Sequence, residues 1–132
     1  LKSLISGDPT VLRRIEAIVH PLVAQDRMDF VTQAQKTGAP AVLLDIPLLF
    51  ETGGDAQVDV IVVVSAPEAT QRARVLERPG MTAAHFEAIL TKQLPDAQKR
   101  ARADFVIETT TLDRASEGVD TVLAHVERMR DA

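Results

Sequence analysis

The chain has 132 residues, 45% hydrophobic and 26% charged, with a net charge of −4; that length suits one domain, or part of one. Four Phe and no Trp or Tyr make the core aliphatic, and the acidic balance argues against a general nucleic-acid surface. The lack of cysteine excludes disulfides and thiol nucleophiles, and no apolar run nears the roughly 20 residues of a membrane span.

With no signal peptide in view, the expectation is a soluble, cytoplasmic protein, monomeric or weakly oligomeric. Asp8-Pro9 opens a helix with apolar residues at 11, 12, 15, 18 and 19; Asp8 suits the N-cap and Pro9 the first turn. His20-Pro21 should interrupt it, because a residue before proline is pushed out of the α region. Pro21 then starts a second helix to about Lys36. Thr37-Gly38-Ala39-Pro40 leads into a short apolar run, 41–46, read as a buried strand.

Glu51 to Gln57 reads as a glycine-containing loop. The β-branched run 58–64 predicts a second strand, buried on both faces as in a parallel sheet. Ser65 or Ala66 caps the next helix, with Pro67 in its first turn; it carries Arg72, Arg74 and Arg78 and stops at Pro79-Gly80. Thr82 begins a helix to about Leu94, Pro95 opens a polar one through Arg102, and 104–107 is a third strand. Residues 112–130 make a closing amphipathic helix with apolar positions 115, 119, 122, 123 and 126. Alternating strands and helices point to a parallel α/β sheet. The helical stretch of about 40 residues between the last two strands exceeds what a crossover needs, as a mobile lid would.

Asp45, at the end of a buried strand, is where ligands of open α/β sheets bind; the alternative is a carboxylate that only caps its loop. Glu51 follows after the Pro47 turn. Arg74 and Arg78, four apart, share a helix face and suit phosphate oxygens, or form a solvated basic face with Arg72, Lys92, Lys99, Arg100 and Arg102. His20 has a fixed orientation before its proline; a structural hydrogen bond is the alternative. His85 and His125 read as surface residues. No spacing supports a protein metal site, and Ser3 and Ser6 lack the base and elbow of a serine hydrolase.

Taken together, Ile18-Val19-His20-Pro21, Asp45-Ile46-Pro47-Leu48-Leu49-Phe50-Glu51, Val60–Val64, Arg74-x-x-x-Arg78, Gln93 and Ala103–Ile107 resemble dephospho-coenzyme A kinase in order and spacing. The resemblance implies a P-loop kinase fold: a three-layer parallel α/β sheet with a helical lid insertion, here N-terminally truncated. Its core would be 38–66 and 103–132, its substrate-side helices 8–37 and its lid about 67–102. It implies Mg2+-ATP and dephospho-CoA as cofactor and substrates, and phosphorylation of the ribose 3′-hydroxyl. His20, Pro21, Asp45, Pro47, Leu48, Leu49, Phe50 and Glu51 would line the dephospho-CoA side, with Asp45 the candidate catalytic residue. Arg74, Arg78, Gln93, Lys99 and Thr109 would serve ATP. Where the family has Asn-x-Gly near adenine, this chain has Glu108-Thr109-Thr110-Thr111, and Thr109 offers a hydroxyl.

No glycine here is followed by Lys and Ser/Thr, so the Gly-x-x-x-x-Gly-Lys-Ser/Thr cradle is absent from these residues. By resemblance it lies upstream of Leu1, with about the first third of the protein. The strands at 41–46 and 58–64 would then flank a gap, and are expected either to pair directly or to pack poorly. A non-catalytic binder of CoA-like ligands, alone or paired with a P-loop-bearing chain, and a small helical interaction module are the alternatives.

Overall fold

The computed structural model describes residues 7–131; Ser3 and Ser6 lie outside them. The chain divides into two units, Leu1–Leu44 and Asp45–Ala132.

In the first unit, α1 (Pro9–Lys36) starts as its sequence dictates: Asp8 Oδ1 accepts from Thr10 N at 2.9 Å and from Thr10 Oγ1 at 2.7 Å. The expected break at His20-Pro21 does not occur, and Pro21 sits inside one continuous helix of 28 residues. An interior proline costs about 3 kcal/mol. The helix tolerates it because no glycine or second proline interrupts residues 10–20 or 22–36. It ends where Thr37 N bonds Gln33 O and Gly38 takes φ 74°, a glycine's turn out of a helix.

The strand expected at 41–46 is absent; these residues carry no regular structure. A strand exists only through its ladder, and apolar composition without a partner supplies none. Direct pairing with the 58–64 run therefore does not happen. Instead β1 (Val62–Ser65) pairs in parallel with β2 (Phe105–Glu108), Val62 opposite Phe105 and Ser65 opposite Glu108. The ladder is extended by Phe105 N to Ile61 O (3.1 Å) and Thr109 N to Ser65 O (3.0 Å). Among the described residues this two-stranded sheet is the only one, so the architecture is α/β with a small parallel sheet.

The crossover between the strands holds α2 (Glu68–Leu76), α3 (Ala83–Lys92) and α4 (Asp96–Arg102). Thr82 caps α3 as its sequence predicts, its side chain accepting from His85 N at 3.1 Å. The closing helix α5 (Leu112–Asp131) packs on β2 and keeps part of the expected stripe, with Ala115, Val122 and Val126 half-buried. Val119 and Leu123 are exposed. Gly118 instead lies against Ile107, and His125, read as a surface residue, packs edge-on against Phe105 with ring centroids 5.0 Å apart.

Candidate functional site

Ser65, the last residue of β1, is 2% exposed. Its hydroxyl donates to the Asp96 carboxylate, 2.9 Å from Oδ2 and 3.1 Å from Oδ1. Asp96 opens α4, where a carboxylate is favoured by the helix dipole. Gln71 Nε2 of α2 donates to Ala66 O at 2.6 Å and to Asp96 Oδ1 at 3.4 Å, and Arg100 reaches Ser65 Oγ at 3.4 Å. This network fastens α2 and α4 to the carboxyl end of β1. The sequence reading missed Asp96 and took Ser65 for a cap. The available signal was a polar residue closing a β-branched strand, but no spacing announced a partner 31 residues away.

Beside it lies the Asp45–Glu51 segment. Asp45 is exposed and Phe50 buried. Leu48 takes φ 58°; beyond it the chain coils, with Thr52 N and Oγ1 donating to Leu48 O (3.1 and 2.8 Å) and Gly54 N to Leu49 O (2.9 Å). Two side chains of α4 reach this segment and the 3-10 turn after it (Gly54–Gln57). The Arg102 guanidinium lies 4.4 Å from the Phe50 ring centroid and 3.0 Å from Asp55 Oδ2, and Lys99 Nζ stands 4.0 Å from Glu51.

Of the residues expected at ATP, Arg74 and Thr109 meet: Arg74 donates to Thr109 O at 2.7 Å and to Thr109 Oγ1 at 3.1 Å. Arg78 falls beyond the helix that carries Arg74. α2 ends at Leu76, before Arg78, because the residue preceding Pro79 resists the α region and Gly80 turns the chain at φ 78°. Gln93 and Lys99 line a cleft of about 470 Å³ with Gln71, Phe86, Leu90 and Asp96. Arg72 ties α2 to α3 instead, 2.6 Å from Glu87 and over the Phe86 ring. His20 and Pro21 stand mid-helix in α1, in the first unit. Among the described residues no group of three His, Asp or Glu is placed to hold a metal ion, and no helix is long and apolar enough to cross a membrane.

The chain is similar in sequence and fold to known proteins. The family model described as dephospho-CoA kinase matches residues 1–113. The dephospho-CoA kinase of Cereibacter sphaeroides is 49% identical over all of this chain and 66% of its own length. That of Ruegeria pomeroyi is 51% identical over 96% of this chain and 62% of its own. The crystal structure of TT1252 from Thermus thermophilus superposes with a TM-score of 0.77 at 35% identity, over 93% of this chain and 63% of that one. The chain thus spans less than two thirds of the relatives it matches. Because the family match runs unbroken through the Asp45–Glu51 segment, the crossover helices and the end of β2, the chain belongs to the dephospho-CoA kinase family.

Proposed function

We propose that this chain supplies the substrate side and the lid of a P-loop kinase that uses ATP to phosphorylate the ribose 3′-hydroxyl of dephospho-CoA, the last step of coenzyme A biosynthesis. The observation that supports this most is the gathering of Arg74, Arg100, Thr109 and Gln71 around the carboxyl ends of two parallel strands. Ligands of open α/β sheets bind at such ends, and guanidinium forks match phosphate oxygens. Asp45 and Pro47–Glu51 would face dephospho-CoA, with Asp45 positioned to receive the attacking hydroxyl. His20 and Pro21 are assigned to the same substrate on family position alone. Arg74, Arg78, Gln93, Lys99 and Thr109 would serve ATP, and residues 67–102 would close over it. Mg2+ would arrive with ATP, taking most of its ligands from phosphates and water, as kinase magnesium does.

These 132 residues contain no phosphate-binding loop motif, and that favours binding without catalysis by this chain alone. ATP and dephospho-CoA together should release no ADP above a protein-free control; turnover would overturn the expected inactivity. Calorimetric titration should show saturable dephospho-CoA binding, weakened by Asp45→Ala. An inert chain would overturn the assignment of the Asp45–Glu51 segment.

A further inference from the structure

Residues three apart share one side of a helix, and on α4 this stripe has a separate target for each member. Asp96 accepts from Ser65, Lys99 faces Glu51, and Arg102 reaches both Phe50 and Asp55. Phe50 is the buried aromatic of the Asp45–Glu51 segment. The backbone bonds formed by the amides of Thr52, Gly53 and Gly54 are all local turns, so what fixes this stretch against α4 is side-chain contact. A planar guanidinium can stack on a ring and donate to a carboxylate at the same time, which a lysine ammonium does far less well.

We propose that Arg102 is a positioning residue: stacked on Phe50 and paired with Asp55, it locks the Asp45–Glu51 segment to the helix that bears Lys99, so that both sides of the site move as one piece. The functional part of this rests on the reading of Asp45–Glu51 as the substrate segment. The geometry stands independently of it. Arg102 makes neither contact through the Ser65–Asp96 network, so the lock can be released without freeing α4 from β1.

The test uses the 132-residue chain, R102A, F50L and the double variant. Hydrogen exchange is followed at the amides of Thr52, Gly53, Gly54 and Thr109, alongside titration with dephospho-CoA. R102A should speed exchange at residues 52–54 by at least about two- to fivefold, the worth of the cation–π contact alone, with the lost Asp55 pair adding to it. It should leave the Thr109 amide, bonded to Ser65 O, at its wild-type rate, and weaken dephospho-CoA binding by a similar factor. F50L, which removes the ring but leaves the Asp55 pair, should speed exchange at residues 52–54 too, and the double variant should fall short of the sum of the two, as a shared contact requires. Unchanged exchange at 52–54, equal acceleration at Thr109, or additive effects would overturn the proposal. If the wild-type chain binds no dephospho-CoA while the exchange pattern holds, the substrate reading fails and the lock between Arg102 and the segment is supported.

Discussion

At Leu48 the backbone sits at φ 58°, a left-handed conformation that costs a non-glycine residue roughly 1–2 kcal/mol. The side chain is 44% exposed and repays little of this by packing, so the strain is held by the turn that follows. Leu48→Gly should therefore melt at or slightly above wild type. Leu48→Val, whose branched Cβ tolerates positive φ worst, should lose about 1 kcal/mol or more; urea midpoints decide both. Nothing in the residues 45–51 announced this conformation, since leucine is not a residue that favours it. Asp8 is the opposite case, legible from its place before Pro9. The Thr10 hydroxyl first, and the Thr10 backbone N–H second, hold its carboxyl below the usual value of 3.8. A lowered folded-state pKa stabilises above the unfolded value and is lost as pH falls through the folded one. Wild-type helicity by circular dichroism should thus decline below pH 3.8, while Asp8→Ala lacks that step and is less helical at neutral pH. A step of equal size in the variant would refute the cap.

Between elements, the packing of α5 on β2 turns on Gly118. A Cβ there would meet both Ile107 γ-carbons at 2.9 Å and its Cβ at 3.2 Å. Alanine is the better helix former by up to about 1 kcal/mol, but overpacking a buried branched side chain typically costs 1–3 kcal/mol. Gly118→Ala should therefore be destabilising by about 1 kcal/mol in urea unfolding, and Ile107→Val should suppress part of the loss; a stabilised Gly118→Ala would show that α5 can shift away. This contact also explains which elements could be read from residues alone. Helix starts at Asp8 and Thr82 have local causes and appear at their expected places, and the β-branched run before Ser65 does form a strand, though over Val62–Ser65 and not from residue 58. The face of α5 is legible only in part: Ala115, Val122 and Val126 are half-buried as expected, but Gly118 and His125 take the places of Val119 and Leu123, because a close approach at a glycine decides the contact. The 41–46 run fails for the same reason: its propensity is local, but strand formation depends on a neighbour. The Asp96–Ser65 and Arg102–Phe50 contacts join residues 31 and 52 positions apart, beyond any periodicity.

For the molecule as a whole, the family match and the distribution of burial bear on one measurement. Among the described residues only Phe50, Ala66, Phe86 and Ile107 are buried hydrophobics, while Val64 in β1 remains 64% exposed and Leu43 and Leu112 89%. A chain of this length with an ordinary core would absorb about 90 kcal/mol on unfolding near 60 °C. Most of that enthalpy comes from close-packed contacts and protected hydrogen bonds, and here few large side chains are enclosed. Scanning calorimetry should accordingly give a broad transition carrying less than about half of that enthalpy, with a van't Hoff value that departs from the calorimetric one, as non-two-state unfolding produces. Saturating dephospho-CoA should raise and sharpen the transition, because a ligand that binds only the folded form stabilises it by mass action. A single sharp peak with the full enthalpy in the ligand-free chain would mean that its exposed valines and leucines are packed in solution, and the expectation of poor packing would be wrong.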